Sequence, residues 1–216
     1  MDDLIAKAAT YVQDKLSHES TGHDWWHILR VWNMAKRLAE MYPDANKPLI
    51  ELAALLHDLG DYKITGSSEG EEEVLRSAMN ELGVQGALQE DILQVIDKIS
   101  YSKNVHRQQT LSLEAQIVQD ADRLDAIGAI GVARAFAYGG KAGRPLYSPT
   151  EGSPKFYGSV EERRSSTGST VNHFYEKLLL LKGMLNTAEA KRIAERRHAF
   201  MEQFLDEFYS EWNGKS

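Results

Sequence analysis

The sequence predicts an all-α protein, one domain over residues 1–216 built as a bundle of about eight or nine helices. Three observations carry that expectation. Apolar residues recur at three- and four-residue spacing along most of the chain, which lines one face of a helix. No stretch of useful length joins period-two alternation to β-branched enrichment, and there is no internal repeat or low-complexity tract. Hydrophobic residues make up 42% of the chain, enough to fill a core at this length without covalent staples.

The elements follow in order. Leu4, Ala8, Tyr11, Val12 and Leu16 share a face of a first helix. Asp24 is placed to cap a second, whose apolar stripe runs through Ile28, Val31, Trp32, Ala35 and Leu38. Pro48 suits the first turn of a third helix, Leu49 to Leu59, because the N–H it lacks has no helical partner there. Gly60 ends that helix. Helical patterns continue over roughly 69–82, 86–99, 112–124 and 126–138, then over roughly 170–183 and 187–212. In the last of these, Phe200, Phe204, Phe208 and Trp212 at four-residue spacing predict a buried stripe. Residues 139–170 break the pattern with three of the five prolines, six of the sixteen glycines, and five basic residues against three acidic ones. They predict a long, locally positive loop.

Charge and composition exclude several function classes. With 25 Lys and Arg against 32 Asp and Glu, the net charge of −7 argues against a coat on duplex nucleic acid, which draws its affinity from neutralised phosphates. The absence of cysteine excludes zinc–thiolate sites, iron–sulfur clusters and thiol nucleophiles. The start Met1-Asp2-Asp3-Leu4 has neither the basic nor the apolar stretch of a signal peptide. The longest aliphatic run, Leu178 to Leu181, falls far short of the roughly 20 residues of a membrane span. The expectation is a cytoplasmic protein without a membrane partner, monomeric or homodimeric.

Chemistry concentrates in four residues: His27, the pair His57-Asp58, and Asp122. His57-Asp58 directly follows Leu52-Ala53-Ala54-Leu55-Leu56, a segment that must be buried. An imidazole and a carboxylate there cost several kcal/mol unless something pairs with them. A divalent ion does so, and this donor set suits Mn²⁺, Fe²⁺, Zn²⁺ or Ni²⁺. Facing helices of a bundle can bring such donors to one interior point. Each residue also has a plain structural reading: His27 in a capping turn, His57-Asp58 at a helix end, Asp122 in an ion pair. His23 competes with His27, since the two share the i, i+4 spacing of a two-histidine metal site.

In this order, and with the flanks His27-Ile28-Leu29-Arg30-Val31, Ala54-Leu55-Leu56-His57-Asp58-Leu59-Gly60 and Asp120-Ala121-Asp122-Arg123-Leu124-Asp125, the chain resembles the HD-domain metal-dependent phosphohydrolases. It is most similar to a bacterial, nucleotide pyrophosphohydrolase-like subfamily, sharing also Ala126-Ile127-Gly128 and His173-Phe174-Tyr175-Glu176-Lys177-Leu178. The resemblance spans about residues 20–212. It implies His27 rather than His23 as ligand, with His57, Asp58 and Asp122 completing the set. The implied cofactor is one divalent ion, Mn²⁺ first, with Mg²⁺, Fe²⁺, Ni²⁺, Co²⁺ and Zn²⁺ as alternatives. It also points to Asp61 as a carboxylate that orients the attacking water, and Lys63 and Arg123 are candidates to contact phosphate. Lys98, His106, Lys141 and Arg144 are further candidate substrate contacts.

Among the aromatics Trp25, Trp26, Tyr62, Tyr101, Phe136 and Tyr138, which are candidates to stack a base, Tyr62 and Tyr101 follow predicted helix ends. The implied activity is hydrolysis of nucleoside or deoxynucleoside triphosphates with release of pyrophosphate by metal-activated water. A 5′-nucleotidase, a cyclic-nucleotide phosphodiesterase and a nucleotide-binding helical protein are the alternative readings.

Overall fold

The computed structural model describes residues 1–17, 24–60, 70–99, 110–152 and 168–215. The described residues hold nine α-helices, one 3₁₀ segment and no strand, so the all-α expectation is met. They group into two compact units, Met1–Asp122 and Arg123–Ser216. None of these helices is long and apolar enough to cross a membrane.

The first unit contains α1 (Asp2–Leu16), α2 (Trp25–Ala39), α3 (Lys47–Leu56), α4 (Glu71–Glu81), α5 (Ala87–Ile99) and most of α6 (Leu113–Asp125). Its centre is α3, which packs against α1, α2 and α5. Asn46 caps α3 by accepting from the Leu49 N–H, and Pro48 occupies its first turn. Leu49, Ile50 and all of Leu52 to Leu56 are buried, so this helix is apolar on most of its circumference, with the half-buried Glu51 as the polar exception within that run. Each such Leu or Ile contributes roughly 1.5–3 kcal/mol of burial. Trp32 of α2 donates from Nε1 to Glu51 Oε2 of α3 at 2.8 Å, while the Lys36 ammonium lies over its ring. This bridge ties the helix that carries His27 in its first turn to the helix that leads into His57.

The third helix stops earlier than its periodicity predicts. It ends at Leu56, and residues 57–60 are turn rather than a last helical stretch. Gly60 is required for a packing reason: a Cβ there would stand 2.7–2.8 Å from the Glu71 side chain and carbonyl oxygen.

The second unit contains the end of α6, then α7 (Gly128–Lys141), α8 (Thr170–Glu176), the 3₁₀ segment Leu178–Met184 and α9 (Ala188–Trp212). Helix α7 runs through Gly139 and Gly140 into the segment expected to be loop. It closes with Gly143 at φ +68° and an Arg144 N–H bond to the Gly139 carbonyl, a glycine-terminated C-cap. A Cβ on Gly139 would meet Thr170 Oγ1 at 2.1 Å, so α8 needs that glycine inside a helix. The helix expected over 170–183 breaks at Lys177 (φ −143°). Leu178 and Leu181 then turn inward at three-residue spacing, the period of a 3₁₀ helix.

The predicted stripe on α9 is half correct. Phe204 and Phe208 join Phe136, Phe174 and Tyr147 in an aromatic cluster with ring centroids 5.8–6.5 Å apart. Phe200 and Trp212, however, are 44% and 49% exposed. The fully inward positions are Ala190, Ala194, Met201 and Leu205, where small residues at one end permit close approach. In the same region partial burial, then a hydrogen bond with Tyr175, pushes the Tyr209 phenol well above the ordinary tyrosine range.

Candidate metal centre

The site is assembled from three places in the first unit. Asp24 accepts from the His27 N–H at 2.9 Å, which fixes the first turn of α2 and aims the following side chains. His27 is thus a capping-turn residue by its backbone, while its fully buried ring belongs to the centre. His57 and Asp58 follow the end of α3, at 8% and 7% exposure. Asp122 comes from α6, and its side chain is 41% exposed. Access from solvent is therefore at Asp122.

The two imidazole rings meet edge-on with centroids 5.5 Å apart. His27 Nε2 lies 3.3 Å from Asp58 Oδ2 and 3.5 Å from Asp122 Oδ1. His57 Nε2 lies 3.3 Å from Asp58 Oδ1 and 3.9 Å from Asp122 Oδ1. The tautomer of His57 follows from its other nitrogen, because Nδ1 is 2.9 Å from the Ala54 carbonyl oxygen. A carbonyl only accepts, so Nδ1 donates, and in the neutral ring Nε2 then carries the lone pair on the side of the carboxylates. That Nε2 is buried and makes no hydrogen bond. Lone pairs facing carboxylate oxygens in a buried site repel unless a cation stands between them.

The donor set fits a divalent ion. His27, His57 and Asp122 offer ligand atoms all within 4.8 Å of one another, and the 3.5 and 3.9 Å from Asp122 Oδ1 to the two Nε2 atoms are distances that a pair of bonds of about 2.0–2.2 Å to a shared ion can span. Asp58 touches both imidazoles. Two carboxylates and two neutral imidazoles carry a charge of −2, which a dication offsets.

Other candidate residues have different surroundings. Arg123, beside Asp122, donates from Nη1 to the Met184 carbonyl. Lys98 is half-buried in the last turn of α5, and its carbonyl accepts from Gln119 of α6. Lys141 is exposed at the end of α7, and Arg144 places its guanidinium over the Tyr138 ring. These last two belong to the second unit. Asp61, Tyr62, Lys63, Tyr101 and His106 lie outside the described residues, as does His23. Asp125 pairs with Arg134 of α7 at 2.6 Å. One feature that sequence reasoning misses is the Ala54 carbonyl that orients His57, for which the i−3 position at a helix end is the available signal; Asp120, two residues before Asp122, is fully buried.

Comparison with known proteins places this geometry. Residues 25–127, which include all four donors, match the HD domain. The Bacillus subtilis protein YpgQ is 37% identical over 197 residues, covering 91% of this chain and 87% of its own. The chain belongs to the HD-domain family. A Lactobacillus plantarum crystal structure superposes with a TM-score of 0.88 at 40% identity, covering 99% of both chains. The crystal structure of YpgQ in complex with ADP gives 0.76 at 33% identity, covering 98% of this chain and 100% of that one. A Bacillus thuringiensis HD-superfamily hydrolase gives 0.73 at 42% identity, covering 98% of each. The likeness reaches beyond the HD domain itself, into α7, α8 and α9.

Proposed function

We propose that this HD-domain protein is a metal-dependent phosphohydrolase acting on a nucleotide, cleaving nucleoside or deoxynucleoside triphosphates to the monophosphate and pyrophosphate. The observation that carries the reading is the convergence of His27, His57, Asp58 and Asp122, with His57 Nε2 turned toward the carboxylates. Supporting the nucleotide are the ADP complex of YpgQ and the hydrolase assignment of the Bacillus thuringiensis relative.

The four side chains hold the ion, with Mn²⁺ as first candidate. When bound, it neutralises phosphoryl charge and makes water more acidic. The chain's own contribution is placement. Ala54 keeps the His57 lone pair inward, Asp24 holds His27 at a helix start, and the exposed edge of Asp122 leaves room for a phosphate. Asp61, Lys63 and Arg123 are assigned to orienting water and contacting phosphate. Lys98, His106, Lys141, Arg144, Tyr62 and Tyr101 are assigned to outer substrate contacts.

Purified protein supplied with Mn²⁺ is expected to convert dNTPs to dNMPs and pyrophosphate and to stop on addition of EDTA. Chromatography of products from dNTPs, nucleoside monophosphates and cyclic nucleotides decides among the hydrolase readings. Intact dNTPs alongside a cleaved monophosphate or cyclic nucleotide contradict the pyrophosphohydrolase assignment.

A further inference from the structure

Among the described aromatics, only one stands both exposed and in the same helical turn as a metal-site histidine. Trp25 is 9% exposed, and Phe136 is held in the aromatic cluster of the second unit. Tyr138 of that unit already carries the Arg144 guanidinium. Trp26, by contrast, is 61% exposed although it lies between two buried residues, Trp25 and His27. Successive positions of an α-helix are turned by about 100°, so the indole leaves the helix on a different bearing from the imidazole and does not compete for the ion. The Asp24 cap on the His27 N–H holds this turn in place. Asp122, the exposed donor, is 3.5 Å from His27, so the open edge of the centre adjoins the same turn.

An indole left largely in water keeps a flat apolar face of its own uncovered, and burying such a face is favourable. A nucleobase offers a matching face. We infer that Trp26 is the platform on which the base of a nucleotide stacks when its phosphates occupy the metal centre. The residue is therefore a substrate-recognition group rather than a ligand or an acid–base group. This rests on the nucleotide reading above and adds to it a division of labour. The His and Asp donors address the phosphate chain, and Trp26 addresses the base whatever its identity, since every base has a π-face.

The test compares a ligand with a base to one without. With Mn²⁺ present, isothermal titration of dATP, supplied as its non-hydrolysable α,β-methylene analogue, and of inorganic tripolyphosphate into wild type, Trp26→Ala and Trp26→Phe separates the two contacts. Loss of the ring is expected to weaken dATP binding about tenfold and to leave tripolyphosphate unchanged, while Trp26→Phe stays within about threefold of wild type for both. Metal content and melting temperature are expected to hold in both variants, since the side chain is exposed. Unchanged dATP affinity in Trp26→Ala, an equal loss for both ligands, or no dATP binding by wild type overturns the inference. If wild type binds the analogue in a Trp26-dependent way but does not cleave dATP itself, the hydrolase reading fails and the role of Trp26 stands.

Discussion

His57→Ala is expected to strip the protein of its divalent ion and to lower turnover at least about a hundredfold, more than the loss of a group that merely orients a ligand. The substitution removes a donor that the backbone orients, through the Ala54 carbonyl. It also leaves Asp58 and Asp122 without the imidazole that stood 3.3 and 3.9 Å from them. Atomic absorption on the purified variant, together with its rate, checks both effects. His198→Ala provides the control. That histidine pairs with Glu202 on the last helix, and its loss is expected to change neither quantity. Full metal content and wild-type turnover in His57→Ala contradict the proposed ligand set.

Phe174→Ala is expected to cost about 3–5 kcal/mol of stability, the usual range for removing a fully buried aromatic. Phe174 is 0% exposed and stacks on Phe204 at 5.9 Å and 22°, with Phe136 tilted at 6.0 Å. The cavity would be lined by rings that cannot readily collapse, which places the cost high in that range. Urea unfolding followed by far-ultraviolet circular dichroism measures it. A loss below about 1 kcal/mol would show that the cluster re-closes and does not anchor the second unit.

Much of this was legible in the sequence because the relevant signals are local. An Asp before a helical stripe, Pro48 at a helix start and a continuous Leu/Ala run foretold the Asp24 cap, the start of α3 and its enclosure. The four candidate donors stand out in the sequence by their order and flanks, while their spatial proximity, His27 and His57 each beside Asp58 and Asp122, exists only in the fold.

What was not legible depends on partners distant in sequence. Two adjacent glycines at 139 and 140 read as a helix break, yet Gly139 serves the close approach of Thr170, so α7 continues through them. Phe200 and Trp212 share the spacing of Phe204 and Phe208 but reach the margins of the packed face, where exposure is decided by neighbours. Arg123 reads as a phosphate contact by its position beside Asp122, and its bond to the Met184 carbonyl could be seen only in the folded chain. The pairing of Asp125 with Arg134 is likewise visible only in the folded chain.

The central claim is that His27, His57, Asp58 and Asp122 hold a single divalent ion. Anomalous diffraction from crystals grown with Mn²⁺, recorded on both sides of the manganese edge, tests it most directly. The expected result is one strong peak per chain, about 2.0–2.3 Å from the Nε2 atoms of His27 and His57 and from a carboxylate oxygen of Asp122. No peak among these residues at saturating Mn²⁺, or a peak held by other side chains alone, would contradict it.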